Sequence, residues 1–260
     1  MSATGNESLP GPGQPSNGAA DVSAVSADQP VPGSIQFYGG YQVYSESGID
    51  LTLLRENLKR TISERWEKNC QALPAINAFR QSRLRQKDKD VKLERGSVLL
   101  DIPGILRLFS TYRVEYVVIG GLALISQGSD YVTKDVDICY SRSPENINAL
   151  AAACASIHPY MRGAPPGLPF RFDPPTIQAG LNFTLTTDLG DLDVLGEVSG
   201  IGFYDQVLAM SEEKEVYGLK VRVLSLDGLV AAKKAAGRTK DKLHLLELEE
   251  LKKLRDEGAK

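Results

Sequence analysis

Hydrophobic and polar positions recur with two different periods along the chain, and these periods predict where helices and strands lie. From residue 51 to 66 an apolar residue returns every three or four positions, which predicts an amphipathic helix that ends near Pro74. A second helix is predicted over residues 75–89, and a third over residues 102–109. The continuous apolar run 116–119 that follows predicts a buried strand.

The strand at 116–119 ends at Gly120 and Gly121, where an Ala- and Leu-rich helix is predicted to begin. Glycines let the backbone approach a ligand closely, and a helix N-terminus attracts anions, so a phosphate is expected there. Downstream, Asp135 and Asp137 alternate with apolar residues, which places both carboxylates on one face of a strand. Because adjacent carboxylates repel each other unless a cation joins them, the pair predicts a hard divalent metal.

The second half of the chain repeats this alternation. Ser143 is the predicted N-cap of a helix, and the proline-rich segment 159–175 is a predicted loop. Residues 181–195 predict a β-hairpin whose second strand carries Asp191 and Asp193. Residues 215–224 predict a hairpin or an edge strand. A helix capped by Ser225 and ended by Gly237 then precedes a last helix from residue 239 to about residue 256.

The composition of the chain limits the classes of protein to which it can belong. The 260 residues are 42% hydrophobic and carry a net charge of −3, which allows one full domain with appendages and no global basic field. Three widely spaced cysteines predict reduced thiols in a cytoplasmic protein, and no apolar run predicts a leader or a membrane span. Two histidines give almost no material for a zinc site or a Ser–His triad.

The chain divides into four predicted parts. Residues 1–48 contain eight glycines, five prolines and no Lys or Arg, which predicts a disordered arm. The other predicted parts are a helical extension at 49–96, a core domain at 97–224 and C-terminal helices at 225–260, packed on that core. Between residues 51 and 95, twelve Lys and Arg face six Asp and Glu, a net of +6. This surplus fits either a contact to nucleic-acid phosphates or a solvated helix face.

Taken in order, the Gly-Gly turn and the Asp-x-Asp strand resemble the nucleotidyltransferase superfamily (polymerase-beta-like), most closely its AbiEii-like branch. The matching positions are Gly120, Gly121, Ala123, Thr133, Asp135 and Asp137. The chain departs from the pattern at Tyr131, where many relatives have an arginine. The alternative is a β-α-β unit with an accidental Asp-x-Asp on its surface.

The resemblance implies an α+β nucleotidyltransferase fold, a small mixed sheet flanked by helices, and it implies roles for named residues. Asp135, Asp137 and Asp193 would be catalytic and would hold Mg²⁺ or Mn²⁺, with Asp191 as the fallback for Asp193. Gly120, Gly121 and Thr133 would bind the nucleotide. The segment 228–241 resembles the C-terminal signature of the family, which adds Lys233, Arg238 and Asp241 as nucleotide or structural contacts. The alternative for that segment is a helix with ordinary surface charge.

The implied function is transfer of a nucleoside monophosphate from an NTP such as ATP to an acceptor hydroxyl on RNA or protein, with release of pyrophosphate. A toxin-like role with a cognate partner protein follows from the same resemblance. The alternative is a non-catalytic nucleotide- or nucleic-acid-binding module that keeps the fold.

Overall fold

The structure, a computed structural model, describes residues 37–38, 41–87, 99–165 and 167–258. For residues 37–38, 80–87 and 258 it describes the backbone alone. Most of the predicted arm at 1–48 therefore lies outside the described residues. The same holds for the last part of the predicted helical extension and for the side chains of Arg80, Arg83 and Arg85.

The helices follow the predicted order. They are α1 (Leu51–Leu58), α2 (Ile62–Lys87), α3 (Ile102–Thr111), α4 (Gly120–Gln127), α5 (Pro144–Ala155), α6 (Pro174–Ala179), α7 (Tyr204–Ala209), α8 (Leu226–Ala236) and α9 (Thr239–Gly258). The predicted caps are confirmed, because Ser143 accepts a bond from the Asn146 amide and Ser225 one from the Gly228 amide. Gly237 ends α8 with a left-handed φ of 62°, as the sequence predicts.

The predicted helix end near Pro74 is wrong. Pro74 lies inside α2, and the chain breaks earlier, between Leu58 and Ile62. At that break the Thr61 hydroxyl accepts a bond from the Glu64 amide, 3.2 Å, and the Glu64 carboxylate accepts one from the Thr61 amide, 2.7 Å. This reciprocal capping box satisfies two free donors of a helix start, whereas a proline removes one donor, so the cap decided the boundary.

The strands are β1 (Phe37–Tyr38), β2 (Tyr41–Gln42), β3 (Tyr116–Val118), β4 (Asp135–Tyr140), β5 (Tyr160–Met161), β6 (Asn182–Thr187), β7 (Gly190–Leu195), β8 (Glu197–Val198), β9 (Gly202–Phe203), β10 (Ser211–Val216) and β11 (Leu219–Leu224). In the described chain, seven of them form one sheet in the order β10-β11-β3-β4-β7-β6-β5. The pairs β11–β3 and β4–β7 are parallel and the others antiparallel. The predicted α+β class, with a mixed sheet flanked by helices, is confirmed.

The predicted helical extension shares the hydrophobic core of the sheet. Leu51, Leu54 and Trp66 belong to the same buried cluster as the strand residues. Trp66 is fully buried, and its indole nitrogen donates to the Ser126 hydroxyl of α4 at 2.9 Å. Helix α2 therefore packs on α4, the helix that leaves the Gly-Gly turn.

Two further expectations concern the chain as a whole. Cys70, Cys139 and Cys154 are free thiols, as their spacing predicted, and burial raises the pKa of Cys139 and of Cys154 to about 12. Among the described residues, none of the helices has both the length and the apolar character that a membrane crossing requires.

Candidate active site

The Gly-Gly turn lies directly under a carboxylate. Gly120 has a φ of 59°, and a Cβ built there would lie 2.1 Å from Oδ2 of Asp137. A Cβ on Gly121 would lie 2.5 Å from Cβ of Thr133. Both positions therefore require glycine because neighbouring side chains occupy the space that a Cβ would take. Both glycines also line a cleft, and their contact with a nucleotide stays a prediction. The Gly121 amide also points at the carboxylate, 3.3 Å from Asp137 Oδ2.

Two neighbouring parallel strands place four carboxylates on one face of the sheet. In the register of β4 and β7, Asp135 lies opposite Asp191 and Asp137 opposite Asp193. Apolar residues fill the alternate positions, and Val136, Ile138, Leu192 and Val194 are fully buried. The predicted sharing of one face is confirmed, and the structure brings Asp191 to that face as well as Asp193.

The crowding of these carboxylates changes their affinity for protons. Burial, followed by the charges of Asp135 and Asp193, raises the pKa of Asp137 to about 7. Burial also raises the pKa of Asp193, although the Arg162 guanidinium opposes the shift. The raised pKa of Asp137 shows that this buried cluster has too little positive charge around its carboxylates. A bound cation would supply that charge.

Thr133 connects strand β4 to helix α2 through hydrogen bonds. Its hydroxyl donates to Asp135 Oδ1 at 2.6 Å, so it orients a carboxylate. Its backbone amide donates to Asn69 Oδ1 at 2.8 Å, and its carbonyl accepts from Asn69 Nδ2 at 2.9 Å. Sequence reasoning missed Asn69. Its position three residues after Trp66, on the apolar face of α2, is the signal that could have identified it as a buried polar contact.

A cleft of about 420 Å³ opens over the turn and the carboxylates. Helix α2 contributes one wall with Leu73, Ile76 and Asn77. The cationic residues of the lining are Lys134, Lys233, Arg238 and Lys240. The cleft is lined by Leu73, Ile76, Asn77, Gly120, Gly121, Tyr131, Val132, Thr133, Lys134, Asp135, Asp137, Asp193, Lys233, Arg238 and Lys240. A volume of this size suits a ligand such as a nucleotide. Of the predicted site residues, Asp241 alone does not reach the lining.

Asp241 lies beneath the cations of the cleft. Its carboxylate is 1% exposed and accepts bonds from Lys233 Nζ at 3.1 Å and from Arg238 Nε at 2.9 Å. Burial acts to raise the pKa of Asp241, but the hydrogen bonds from Arg238 and Lys233 outweigh it and hold the pKa at about 2. Asp241 thus positions two cations that line the cleft. Of the two predicted roles, a nucleotide contact or a structural contact, this arrangement corresponds to the structural one.

Tyr131 takes the position where many relatives of the resembled family have an arginine. It lines the cleft and packs edge-to-face on His244, with the ring centres 4.7 Å apart. Burial, with the charges of Asp135 and Asp137, raises the pKa of its phenol. The position therefore supplies a neutral ring to the cleft in place of a cation.

Arg162 lies in the segment 159–175, which the sequence predicted to be a loop and which in the structure also contains β5. It follows β5, and its guanidinium lies among three carboxylates: Nη1 is 3.5 Å from Asp135 Oδ2, Nε is 3.3 Å from Asp191 Oδ2, and Nη2 contacts Asp193. No periodic pattern in the sequence marks it, because the contacts depend on how β5 and β6 extend the sheet.

The donor set fits a hard divalent cation in its chemistry. Asp135, Asp137 and Asp193 line the cleft and offer it carboxylate oxygens, which are the ligands that Mg²⁺ and Mn²⁺ prefer. Within the described ranges, no three His, Cys, Asp or Glu side chains converge closely enough to hold a metal as they stand. The guanidinium of Arg162 instead supplies the positive charge between Asp135 and Asp193.

Comparisons with known proteins gave matches among solved structures. No protein-family model matches the chain, and no curated protein matches it. The lincosamide antibiotic adenylyltransferase LnuA, lincomycin-bound, is similar over 58% of this chain and 98% of its own, with 14% identity and a TM-score of 0.39. A putative nucleotidyltransferase (TM1012) from Thermotoga maritima is similar over 60% of this chain and 94% of its own, with 17% identity and a TM-score of 0.33. ANT(2")-Ia in complex with adenylyl-2"-tobramycin is similar over 60% of this chain and 92% of its own, with 15% identity and a TM-score of 0.38. Because these scores and identities are low, the function is argued from the geometry of the site.

Proposed function

We propose that the protein is a divalent-metal-dependent nucleotidyltransferase that moves a nucleoside monophosphate from an NTP to an acceptor hydroxyl. The observation that carries the proposal is the register of β4 and β7, which sets Asp137 beside Asp193 at the mouth of a cleft bordered by Lys134, Lys233 and Arg238. Carboxylates for a metal and cations for phosphates thus face one space. Nucleotidyl transfer requires these two sets of charge together.

Each set of side chains has a separate task in the proposal. Asp135, Asp137 and Asp193 would hold Mg²⁺ or Mn²⁺, which when bound polarises the phosphoryl group and the attacking oxygen. Lys233 and Arg238, fixed by Asp241, would bind the triphosphate. Helix α2 contributes one wall of the cleft, and Thr133 keeps Asp135 oriented.

The proposed reaction is an in-line displacement at the α-phosphorus. The acceptor oxygen forms a bond to that phosphorus, the bond between it and the bridging oxygen of the β-phosphate breaks, and pyrophosphate leaves. The proton of the acceptor hydroxyl passes to a carboxylate of the cluster.

The finer parts of the proposal concern the acceptor and the biological role. RNA or protein is the proposed acceptor class, and the +6 surplus over residues 51–95 is the feature that supports a phosphate-bearing acceptor. A toxin-like role with a cognate partner protein, and cytoplasmic localisation, rest on the resemblance to the AbiEii-like branch together with the reduced thiols.

A non-catalytic nucleotide-binding module is the second candidate, and Arg162 favours it. A guanidinium that already neutralises Asp135, Asp191 and Asp193 would suit a protein that binds a nucleotide without activating it. In that case the cleft would hold an NTP, and no transfer would follow.

One experiment separates the two candidates. The full chain is incubated with each NTP labelled at the α-phosphate, Mg²⁺ or Mn²⁺, and total RNA or cell lysate, and labelled acceptor is measured beside NTP binding. We expect transfer by the wild type and none by Asp137→Asn, which removes a ligand charge at constant volume. Asp205→Asn removes the same charge from an exposed position on α7 and is the control. Transfer by Asp137→Asn at the wild-type rate would refute the site, and NTP binding without transfer in every case would favour the binding module.

A further inference from the structure

Arg162 reaches the carboxylates from the edge of the sheet. Its backbone amide donates to the Thr184 carbonyl of β6 at 2.9 Å, so the main chain at this point is part of the sheet. Its side chain crosses β6, where Nη2 lies 3.3 Å from the Leu185 carbonyl, and ends among carboxylates of β7 and β4. The backbone of Arg162 is thus fixed in the sheet, and the guanidinium reaches the carboxylates through the side chain alone.

The contacts of the guanidinium are with the residues proposed to hold the metal. It touches Asp135 and Asp193, and it lies 3.3 Å from Asp191. A metal ion and a guanidinium cannot share the same carboxylate oxygens at these distances, because both are cations and both need the oxygen lone pairs.

The geometry of the guanidinium is not that of an optimised structural ion pair. Although Nε lies near Asp191, it makes no hydrogen bond and is buried, so one of the donors of Arg162 is left without a partner. A structural arginine with planar, bidentate bonds would satisfy all its donors. A buried donor without a partner has a free-energy cost, which lowers the cost of moving the side chain elsewhere.

Solvent adjoins the side chain of Arg162. The side chain is 24% exposed, although its Nε is buried. It can therefore turn outward into solvent by rotation about its own bonds while its amide stays paired with β6. No change of the sheet is required.

We infer that Arg162 is a displaceable counter-ion of the carboxylate cluster, which holds Asp135, Asp191 and Asp193 together without metal and must withdraw before a divalent cation binds. This inference rests on the proposed function. Its consequence is that Arg162 stabilises the fold and weakens metal binding at the same time. A purely structural arginine would not have these opposite effects, because its loss would disorder the carboxylates and weaken metal binding too.

The test measures Mn²⁺ binding directly, without any reaction. Full-length, EDTA-treated protein is titrated with Mn²⁺, and the free ion is followed by electron paramagnetic resonance. We expect Arg162→Gln to bind Mn²⁺ about tenfold tighter or more, since the wild type must first break the charge-assisted contacts of Arg162 with the carboxylates, and a cost of about 1.4 kcal/mol is a tenfold loss of affinity. The Mn²⁺ affinity of Arg162→Lys should lie between that of the wild type and that of Arg162→Gln. Arg171→Gln removes the same charge from the exposed part of the proline-rich loop and should bind like the wild type.

A thermal melt of the same proteins supplies the second measurement. In EDTA, Arg162→Gln should melt at a lower temperature than the wild type, because three neighbouring carboxylates lose their cation. Mn²⁺ should raise the melting temperature of Arg162→Gln by more than that of the wild type. Equal or weaker Mn²⁺ binding by Arg162→Gln than by Arg171→Gln would overturn the inference.

Asp137→Asn shows whether the proposed function fails separately. If this variant loses Mn²⁺ binding while Arg162→Gln behaves like the wild type, the inference is wrong and the proposed metal site stands. If Asp137→Asn binds Mn²⁺ as the wild type does, or if neither the wild type nor Arg162→Gln binds it, both the inference and the metal site are wrong.

Discussion

Asp137 makes the fold less stable than it would be without its charge, and this cost depends on pH. Its pKa rises from 3.8 in a free carboxyl to about 7 in the folded protein. A rise of about three pKa units corresponds to about 4 kcal/mol at 1.36 kcal/mol per unit. Because side chains relax and water enters, we expect roughly 2–4 kcal/mol in a measurement.

The direction in which stability changes with pH depends on whether the folded or the unfolded chain binds the proton of Asp137. Below pH 3.8 the carboxyl is protonated in the folded and the unfolded chain, so it adds no pH-dependent cost. Between that pH and about 7, the unfolded chain has released the proton while the folded chain still holds it, so stability falls as pH rises. Above about 7 both states are ionised and the full cost remains.

Asp137→Asn removes this cost, since its amide stays neutral and its oxygen can still accept the bond from the Gly121 amide. In EDTA, the variant should therefore be more stable than the wild type above about pH 7, and the difference should vanish towards pH 4. Urea unfolding measures it through the fluorescence of Trp66, the one tryptophan of the chain, which is fully buried.

Asp205→Asn is again the control, because it removes an exposed carboxylate that does not line the cleft. Mg²⁺ should reverse the order at high pH, since it stabilises the ionised wild-type cluster and not the variant. A difference between Asp137→Asn and the wild type that stays constant from about pH 4 to pH 8, or that is absent, would refute the electrostatic reasoning.

The other predictions concern glycine and asparagine. Gly120→Ala and Gly218→Ala both place a Cβ at positive φ, which costs about 1–2 kcal/mol, but only the Cβ on Gly120 collides, 2.1 Å from Asp137 Oδ2. In urea unfolding Gly120→Ala should therefore lose clearly more stability than Gly218→Ala, and equal losses would contradict the close approach. Asn69→Leu should cost about 2–4 kcal/mol, because it leaves the amide and carbonyl of Thr133 buried without partners. An unchanged urea midpoint would show that this contact is not needed.

The sequence predicted those parts of the site that depend on neighbouring positions. The period of two in 135–138 and in 191–194 places each carboxylate on the outer face of its strand, and the glycines after β3 mark the turn. Such patterns are visible because each residue is judged against residues two to four positions away. The hairpin that carries Asp193 was predictable for the same reason.

The rest of the site depends on contacts between distant segments. Asn69 meets Thr133 only because α2 packs on α4, and Arg162 meets Asp135 only because β5 and β6 extend the sheet beside β7. Neither contact leaves a period in the local sequence. The crowding of Gly120 by Asp137 and of Gly121 by Thr133 likewise joins separate segments, so no local pattern marks it.

The position of β3 inside the sheet has a consequence for the order in which a ribosome makes the protein. Strand β4, which pairs with one edge of β3, follows it closely in the sequence, but β11, which pairs with the other edge through Val118 and Val223, is made about a hundred residues later. At about 5–20 residues per second, the partner of that second edge is missing for several seconds, during which an unpaired edge with the apolar residues Val117 and Val118 is open to other chains or to chaperones. Lys233 and Arg238 emerge later still. A nascent chain therefore carries its carboxylates well before it has the cations that would hold a triphosphate beside them.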